Sequence, residues 1–386
     1  MIIYYYFFVA LANSKNFLTF MQRKQKTFEM SKTVKYQLFS DPWHYYGEML
    51  KDIDAAQEYI CLETFRIGND VMGERFRDKL TNAAQRGVEI KLLIDYWGAG
   101  NTRSGFFDKF IQAGGEVRFF KKIKYNFDFF TRSHRRNHRK LLLIDDNISY
   151  IGSSNITGYN LNWRESVLRM EGEITPVFKK LFLQDYKIYN RYIFSKAYHT
   201  RPVKHENFEI IRDVPLITKK KINNKFIFYI KQARETIDIE TPYFLPGFML
   251  RKSLTDAAQR GVKINILLPK KSDVNLVDIL RNKYLGPLAK RGINFLFFEP
   301  NNLHAKLFLV DKKIFGIGSS NFDYRSFRYM FEIMIFGEQE EISEQVVRHI
   351  KETQKSSIPF IYKQWNKRPP IEKFFELLLL PFRHLL

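Results

Sequence analysis

Two copies of one polar pattern are the residues of this sequence whose types and spacing could do chemistry. Each copy has a histidine, a lysine two residues later, an aspartate five residues after the lysine, and a Gly-Ser-Ser-Asn string seven residues after the aspartate. The copies are His138, Lys140, Asp145 with Gly152–Asn155, and His304, Lys306, Asp311 with Gly318–Asn321. Because the internal spacing is the same in both, a catalytic use of the pattern is predicted.

The residue types fit a reaction at a phosphodiester. Histidine has the side chain whose ordinary pKa lies nearest neutrality. A neutral imidazole can therefore attack phosphorus to form a phosphohistidine, while a second, protonated imidazole donates to the leaving alkoxide. In the following step, the second histidine would deprotonate the incoming water or alcohol. His138 and His304 are the predicted pair.

The same pattern supplies positive charge and hydrogen-bond donors for the anion. The lysines would neutralise the non-bridging oxygens as point charges, and the asparagine amides would donate to the same oxygens. The predicted phosphate ligands are Lys140, Lys306, Asn155, Asn321, Ser153 and Ser319. Since the lysines supply the charge, neither a metal ion nor another cofactor is expected.

Acidic residues in and after each copy have two expected roles. Glu165 and Glu332 follow their motifs at similar distances, and a carboxylate on the far nitrogen of an imidazole would fix its tautomer and raise its basicity. Asp145 and Asp311 complete the catalytic motif. Each ends a hydrophobic strand, so we expect a structural salt bridge or turn from them rather than acid-base work.

The repeat extends beyond the motif and indicates a duplicated domain. The string LTNAAQRGVEI at 80–90 returns almost unchanged as LTDAAQRGVKI at 254–264. The offset between the copies shrinks along the chain, which indicates insertions and deletions around a shared core.

Strands and helices alternate in each copy, which predicts an α/β fold with buried strands. The predicted strands are Tyr59–Phe65, Val88–Ile94, Gly115–Phe120 and Leu141–Asp145, then Thr236–Thr241, Val262–Leu268, Ile293–Phe298 and Leu307–Asp311. Helices are predicted at Glu74–Arg86 and Leu250–Arg260, ended by Gly87 and Gly261. Each motif therefore lies at a strand edge.

The predicted organisation has two domains between an N-terminal segment and a tail. The boundaries are 1–35 for an apolar and basic segment, 36–195 and 205–365 for the domains, and 366–386 for an amphipathic tail, with the linker within Gly172–Asn224. Met1–Ala12 is apolar but too short to span a bilayer. It is either an interfacial anchor or an artefact of start-site choice, since Met30 also looks like a natural first residue. The tail is either an interfacial segment or a helix packed on the domain.

Composition restricts the partners and the kinds of site. A net charge of +22 over 386 residues implies an anionic partner, which could be nucleic acid or an anionic membrane surface. The single cysteine, Cys61, excludes a disulfide framework and a cysteine-based zinc site, and is expected to be a buried strand residue. His134 and His138 have helical metal-site spacing but no evident third ligand, so a zinc site is not predicted.

The sequence resembles the phospholipase D superfamily, whose signature is His-x-Lys-x4-Asp followed by Gly-Ser-x-Asn. Within it, the chain is most similar to bacterial cardiolipin synthases of the phospholipase D type, from about Tyr45 onwards. The strings that carry the resemblance are RNHRK at 136–140, WRE at 163–165, LRMEG at 168–172, TPYFLP at 241–246, LP at 268–269, KSD at 271–273, LHAK at 303–306, NFDYRSF at 321–327, and Trp365 with Arg368 and Pro369.

The resemblance implies both a fold and a reaction. The fold would be two homologous phospholipase D-like domains, each a mixed β-sheet flanked by helices, related by a pseudo-twofold axis with one shared active site. His138 would be the nucleophile and His304 the acid and base. The reaction would move a phosphatidyl group to the hydroxyl of phosphatidylglycerol, making cardiolipin and releasing glycerol, with the protein held peripherally or interfacially at the bacterial cytoplasmic membrane.

The sequence departs from the family pattern at three places. Longer members carry two N-terminal transmembrane helices, whereas this chain looks like the shorter forms. Glu165 stands where the family often has Asp, and Met330 stands where it often has Asn before Phe-Glu.

Two other functions compete with the transferase. The first is a hydrolase of the same superfamily, either a phospholipase D that releases phosphatidic acid or a metal-independent nuclease. Small nucleases of the superfamily usually carry one motif and dimerise, so two motifs in one chain make nucleic acid the less expected substrate. The second is a non-catalytic membrane-binding protein, against which the intact His, Lys and Asn of both copies argue.

Overall fold

The computed structural model describes residues 35–120, 135–191, 200–215 and 220–382 of the chain. The predicted segment Met1–Ala12, His134 and the end of the tail lie outside these residues. Within the described part, no helix is both long and apolar enough to span a bilayer.

Within its described residues, the first half contains eight strands and four α-helices. They are β1 (Tyr36–Phe39), α1 (Pro42–Ala55), β2 (Tyr59–Thr64), α2 (Val71–Gln85), β3 (Glu89–Asp95), α3 (Asp108–Gln112), β4 (Glu116–Phe120), β5 (Arg136–Asn137), β6 (Leu141–Ile144), β7 (Ile148–Gly152), β8 (Val167–Glu171) and α4 (Ile174–Ile188).

The second half repeats this succession with additions. Its elements are β9 (Val203–His205), β10 (Phe208–Asp213), α5 (Lys221–Gln232), β11 (Thr236–Glu240), β12 (Phe244–Leu245), α6 (Phe248–Gln259), β13 (Lys263–Pro269), α7 (Asn275–Ala289), β14 (Ile293–Phe298), β15 (Leu307–Val310), β16 (Ile314–Gly318), β17 (Phe322–Asp323), α8 (Tyr324–Tyr329), β18 (Met330–Gly337), α9 (Glu340–Lys355), β19 (Ser357–Pro359), α10 (Tyr362–Asn366) and α11 (Pro370–Leu379).

The two halves build sheets with the same strand order. The first sheet runs β1-β8-β7-β6-β2-β3-β4, and the second runs β10-β18-β16-β15-β11-β13-β14, with β9 and β19 added at its edges. In each, the last three strands are mutually parallel and the others antiparallel. This confirms the prediction of duplicated mixed sheets flanked by helices.

The predicted helices and strands form where the apolar pattern placed them. Helix α2 begins three residues before the predicted start, because the Asp70 carboxylate accepts the backbone N–H of Met72 and Gly73. It ends at the predicted glycine: Gly87 has φ 93°, and its N–H donates to the Ala84 carbonyl at 2.9 Å. Cys61 is buried in β2, as predicted, and burial raises its thiol pKa to about 12.

Three apolar clusters hold the layers together. One outer cluster packs α1 and α2 on the first sheet, and another packs α5, α6 and α7 on the second. The cluster between them combines α4 and α9 with residues of both sheets, including Leu141 and Leu307. The described residues from Tyr36 onward accordingly form one compact unit. The interval predicted for the linker, Gly172–Asn224, contains α4 and β10, which are integral parts of this unit.

Short strand pairings cross between the halves and set up the site. Strand β5 leaves the first half and pairs in parallel with Met330 and Phe331 at the start of β18. A matching bridge joins Arg164 of the first half to Leu303 of the second. Each histidine motif is therefore attached by backbone hydrogen bonds to the segment that carries the other half's glutamate.

The C-terminal tail forms a helix with an uncovered apolar face. Helix α11 packs against α7, and Glu376 is buried in an ion pair with Arg368. Ile371, Phe374 and Leu377 remain 57%, 57% and 60% exposed.

Candidate active site

The two motif histidines occupy equivalent backbone positions. His138 N–H donates to the Phe331 carbonyl at 2.9 Å, and His304 N–H donates to the Arg164 carbonyl at 2.8 Å. Each acceptor is the residue just before a glutamate of the opposite half. Each histidine also lies three residues before the first residue of the strand, β6 or β15, that pairs with the carboxyl end of β2 or β11.

Each imidazole meets the glutamate of the other half. His138 Nδ1 lies 3.0 Å from Glu332 Oε1, and His304 Nδ1 lies 2.9 Å from Glu165 Oε2. Sequence spacing pointed to these glutamates without showing that they would be exchanged between the halves. With Nδ1 engaged, Nε2 is the ring nitrogen of each histidine that is available for chemistry.

The first serine of each Gly-Ser-Ser-Asn string supports a glutamate. Ser153 Oγ donates to Glu165 Oε2 at 2.5 Å, and Ser319 Oγ donates to Glu332 Oε2 at 2.5 Å. Both serines are completely buried. Their hydroxyls donate to carboxylates, which positions the serines to hold the glutamates. The phosphate-binding role expected of Ser153 and Ser319 stays a prediction.

Both lysines fold back onto their own motif. Lys140 Nζ donates to the His138 carbonyl at 2.7 Å, and Lys306 Nζ donates to the His304 carbonyl at 2.8 Å. Lys306 Nζ also lies 3.1 Å from His304 Nε2, which places the ammonium beside the reactive ring nitrogen. Burial lowers the pKa of Lys140 to about 7 and that of Lys306 to about 8. An anion between these amines would favour their charged forms.

The two histidine–glutamate pairs differ in the pKa values of their side chains. The pKa of His138 lies well below its ordinary value because the ring is buried and because Lys140 and Lys306 add positive charge. Burial also raises the pKa of its partner Glu332 to about 7, against the opposing charge of Lys140. A depressed imidazole pKa and a raised carboxyl pKa both favour an uncharged His138 near neutral pH.

The glutamate of the other pair has a pKa shifted in the opposite direction. Burial alone would raise the pKa of Glu165, but the charge and hydrogen bond of His304, together with Lys306 and Ser153, outweigh it and lower the pKa to about 2. Burial lowers the pKa of His304, and the charge of Glu165 opposes that shift. An ionised Glu165 stabilises a positive charge on His304, although the net shift of the His304 pKa is still downward. Since the pKa of His138 is lowered further than that of His304, His138 is better suited to attack and His304 to donate a proton.

The asparagines of the strings keep hydrogen-bonding capacity at the site. The Oδ1 atoms of Asn155 and Asn321 are buried, and neither has a hydrogen-bond partner among the described residues. Exchanging the oxygen and nitrogen of an amide would turn a donor toward the same space. Binding of phosphate oxygens by these amides remains a prediction that the geometry allows.

The motif aspartates lie in turns. Asp145 has φ 51° and its carboxylate accepts the backbone N–H groups of Gln57, Glu58 and Tyr59 at 2.8 to 3.1 Å. Asp311 has φ 50° and binds the N–H groups of residues 234–236 in the same way. These carboxylates fasten the start of β2 and of β11. These contacts fit the turn role expected of Asp145 and Asp311, and their assignment to the catalytic motif stays a prediction.

Several buried residues at the site were not identified from the sequence. The Arg136 guanidinium pairs with Asp95 at 2.7 Å, and Asp95 also accepts the Asn137 N–H at 2.8 Å. Arg139 is 1% exposed, donates to the Glu332 carbonyl at 3.2 Å and pairs with Asp185 of α4 at 2.7 Å. The sequence signal that could have identified them is the pair of arginines on either side of the motif histidine. Their acidic partners lie in distant segments of the chain, so the ion pairs could not be read from the sequence.

Aromatic rings lie beside both histidines. The Phe65 ring centroid is 5.8 Å from that of His138, and the Trp163 centroid is 5.1 Å from that of His304. Within the described ranges, no group of three His, Cys, Asp or Glu side chains is arranged to hold a metal ion. The arrangement presents two imidazoles, two amines and two amides, a set suited to nucleophilic displacement at an anionic phosphorus centre.

Sequence comparisons point in the same direction. A family model described as "Cardiolipin synthase, PLD-like domain" matches residues 49–186 and 226–353. Cardiolipin synthase 1 of Staphylococcus epidermidis is 30% identical over 374 residues, covering 94% of this chain and 76% of that protein. The major cardiolipin synthase ClsA of Bacillus subtilis is 30% identical over 336 residues, covering 84% and 70%.

Solved structures share the fold at much lower identity. Phosphatidylserine synthase of Haemophilus influenzae superposes with a TM-score of 0.73 at 12% identity, over 95% of this chain and 100% of that one. Polyphosphate kinase of Porphyromonas gingivalis gives a TM-score of 0.60 at 11% identity, over 85% of this chain and 49% of that one.

Proposed function

This chain belongs to the cardiolipin synthase family with phospholipase D-like domains, and from that premise we propose that it is a phosphatidyl transferase that makes cardiolipin. Two phosphatidylglycerol molecules would be the substrates, and glycerol would be released. The observation that carries the proposal is the pair of exchanged histidine–glutamate contacts, flanked by two buried lysines, in which the two glutamates have pKa values shifted in opposite directions.

In the first step, His138 Nε2 attacks the phosphorus of one phosphatidylglycerol. A nitrogen–phosphorus bond forms while the bond from phosphorus to the glycerol oxygen breaks. The His304 imidazolium gives its proton to that oxygen, so neutral glycerol leaves and a phosphatidyl-histidine remains. The lower pKa of His138 relative to that of His304 supports this assignment of nucleophile and acid.

In the second step, His304 is neutral and accepts the proton of a glycerol hydroxyl on a second phosphatidylglycerol. The hydroxyl oxygen bonds to phosphorus, and the nitrogen–phosphorus bond breaks with its electron pair returning to His138. The product is cardiolipin, and both histidines regain their starting protonation states. Water in place of the second lipid would give phosphatidic acid instead.

The remaining residues of the motif stabilise the charge on phosphorus. Lys140 and Lys306 neutralise the non-bridging oxygens, and the amides of Asn155 and Asn321 donate to them as negative charge develops. Glu332 and Glu165 hold the imidazoles in the reactive tautomer, and Ser153 and Ser319 hold the glutamates.

The partner of this reaction is an anionic bilayer, and the proposed location is the face of the bacterial cytoplasmic membrane, bound peripherally. The net charge of +22 favours that surface. Exposed apolar side chains support insertion into it: Phe374 and Leu377 on α11, and Trp97 and Phe248 on segments that leave the sheet edges bearing the motifs. Such residues are the ones that interfacial proteins bury among lipid headgroups.

A lipid product assay tests the function. Detergent-solubilised protein would be incubated with headgroup-labelled phosphatidylglycerol, beside the His138→Ala and His304→Ala variants. We expect cardiolipin and free glycerol in equimolar amounts, lost by at least about 1000-fold in His138→Ala. Phosphatidic acid as the sole product would reassign the protein as a hydrolase. Full turnover by His138→Ala would reject the phosphohistidine mechanism.

A further inference from the structure

The two halves differ beside their histidines, although their strand orders agree. In the first half, Asp95 at the end of β3 forms a buried ion pair with Arg136, two residues before His138. The equivalent positions of the second half hold Pro269 and Asn302, so this ion pair has no counterpart there. In place of that ion pair, the second half has a set of uncharged and acidic groups near His304 and Lys306.

That set centres on Asp273, in the loop between β13 and α7. Tyr243 Oη donates to Asp273 Oδ1 at 2.7 Å, and Asn302 Nδ2 lies 3.5 Å from the same oxygen. The Asp273 side chain is exposed, and its charge acts on both His304 and Lys306. Asn302 Oδ1 is buried and has no hydrogen-bond partner within the described residues.

An apolar wall completes this side of the site. Trp163 lies with its ring centroid 5.1 Å from that of His304, and Tyr159 packs against Trp163 at 5.2 Å. An indole next to hydrogen-bonding oxygens suits the C–H face of a polyol, whose hydroxyls can turn toward the polar groups.

The geometry of an in-line displacement indicates which part of the substrate lies beside His304. When His138 attacks phosphorus, the leaving oxygen departs on the opposite side, toward the acid that protonates it. Given the proposed function, on which this step rests, the glycerol of the donor lies beside His304. The acceptor's glycerol enters the same place in the second step.

We propose that Asp273, Asn302 and Trp163 form a polyol subsite that binds the free hydroxyls of glycerol, and that this subsite selects the alcohol on both sides of the reaction. The Asp273 carboxylate and the Asn302 amide oxygen accept hydroxyl protons, and Trp163 packs against the carbon chain. An alcohol without additional hydroxyls leaves these acceptors unpaired. Sites built to bind a hydroxyl discriminate strongly against analogues that lack one.

Partition of the phosphatidyl-enzyme between two alcohols tests this subsite. Phosphatidyl-p-nitrophenol would serve as the donor, because its leaving group needs neither a polyol subsite nor an acid. Labelled glycerol and 1-propanol would compete as acceptors, and the ratio of phosphatidylglycerol to phosphatidylpropanol would be measured. This ratio does not depend on the folded fraction or on the rate of the first step.

We expect Asp273→Asn and Asn302→Ala each to lower the glycerol preference about tenfold, the effect of losing one hydrogen bond to a polar or charged acceptor. Glu299→Gln is the matched control, since Glu299 is exposed in the same half and pairs with Lys270; it should leave the ratio unchanged.

Three outcomes would overturn the subsite. The first is an unchanged ratio in both variants. The second is loss of p-nitrophenol release in both, which would make the residues supports of the catalytic groups. The third is a shift toward ethanolamine over glycerol in the wild type, which would make Asp273 a binder of cations. Failure of the proposed function looks different: the wild-type protein would form phosphatidic acid alone in the presence of either alcohol.

Discussion

At the residue scale, Glu165 and Glu332 carry the functional asymmetry of two nearly identical motifs. Both are fully buried, both contact an imidazole Nδ1 and both accept a serine hydroxyl. They nevertheless have opposite pKa shifts, to about 2 and about 7. Lys306 lies against the ring of His304, whereas Lys140 contacts only the backbone of His138. Identical residue types thus acquire distinct roles from the charges packed around them.

Replacing each glutamate by glutamine should separate these roles. Glu165→Gln removes the charge that sustains the His304 imidazolium, so turnover of phosphatidylglycerol should fall about 100-fold, the usual effect of losing a general acid. Release of p-nitrophenol from the activated donor should be nearly unaffected, because that leaving group needs no proton. Glu332→Gln should slow both donors, since it weakens the nucleophile. Single-turnover rates of the first step with the two donors make the comparison, because the second step needs His304 as a base with either donor. Equal losses of both first-step rates in Glu165→Gln would contradict the assignment.

Anion binding should depend on pH through the two lysines. Burial lowers the pKa of Lys140 to about 7 and that of Lys306 to about 8 in the free site. At pH values between these and the ordinary lysine pKa, the free amines are partly deprotonated. An anion favours the charged amines, so its binding must be accompanied by uptake of protons. The affinity for inorganic phosphate should therefore weaken as pH rises from 6.5 to 9, with proton uptake on binding.

Isothermal titration calorimetry in two buffers of different ionisation enthalpy measures that uptake. Lys140→Gln should bind more weakly at pH 6.5 and lose part of the pH dependence. Affinity that is constant over this range in the wild-type protein would show that the amines are charged before the anion arrives.

At the element scale, the motif aspartates fasten turns to the first strand of each half. Asp145 and Asp311 adopt left-handed φ values that are unfavourable for most side chains, and each carboxylate collects three backbone N–H groups. The turn between β6 and β7 is thereby joined to the start of β2, and that between β15 and β16 to the start of β11. The aspartate stabilises the strand whose far end lies at the histidine.

Substitution of Asp145 should accordingly change stability and leave the chemistry intact. Asp145→Ala removes three hydrogen bonds and places alanine, which adopts left-handed φ values less readily than aspartate, at φ 51°, which should lower the free energy of unfolding by roughly 2 kcal/mol. Asp145→Asn keeps an acceptor and tolerates this φ, so its loss should be smaller. Chemical denaturation gives the stabilities. Turnover per folded molecule should match wild type in both, and a catalytic defect in fully folded Asp145→Asn would return the residue to the catalytic set.

The sequence predicted the regular elements better than their pairing. Apolar runs and the glycines at 87 and 261 located strands and helices to within a few residues, because these signals are local. The start of α2 was missed although Asp70 offered a capping side chain. The exchange of Glu165 and Glu332 between the halves depends on β5 pairing with β18, which joins segments far apart in the chain. No local pattern specifies that contact, and the role of Ser153 follows from it.

At the scale of the whole molecule, exposed apolar residues lie close to both motifs. They follow the parallel strands of each sheet, and the carboxyl ends of these strands lie at the sheet edge that carries the motif. The carboxyl ends of β2 and β3 lie at the same sheet edge as Lys140, because Glu63 pairs with Leu141. The corresponding edge of the second sheet carries Lys306. The exposed apolar residues that follow these strand ends are Val71, Trp97, Phe248, Met249 and Leu276. A protein whose substrate lies in a bilayer would dock through this set, which we call the apolar rim.

Removing part of the apolar rim should weaken docking without harming the site. Phe248 and Met249 are 66% and 53% exposed at the start of α6, and burying two such side chains in lipid contributes about 2 to 4 kcal/mol. The double variant Phe248→Ser/Met249→Ser should therefore bind phosphatidylglycerol vesicles at least about tenfold more weakly in a sedimentation assay. Phe228→Ser is the matched control, because Phe228 is 47% exposed on α5, which precedes β11 rather than following it.

Salt and a soluble substrate separate the forces involved. Raising the ionic strength should weaken vesicle binding of all three proteins by screening the net charge of +22. The difference between the double variant and the control should persist, because apolar insertion is not screened. Turnover of a short-chain phosphatidylglycerol below its micellar concentration should be equal in the three proteins, since no interface is involved. If the control weakened binding as much as the double variant, the bilayer would contact the molecule through its general surface and the active site would face it only by chance.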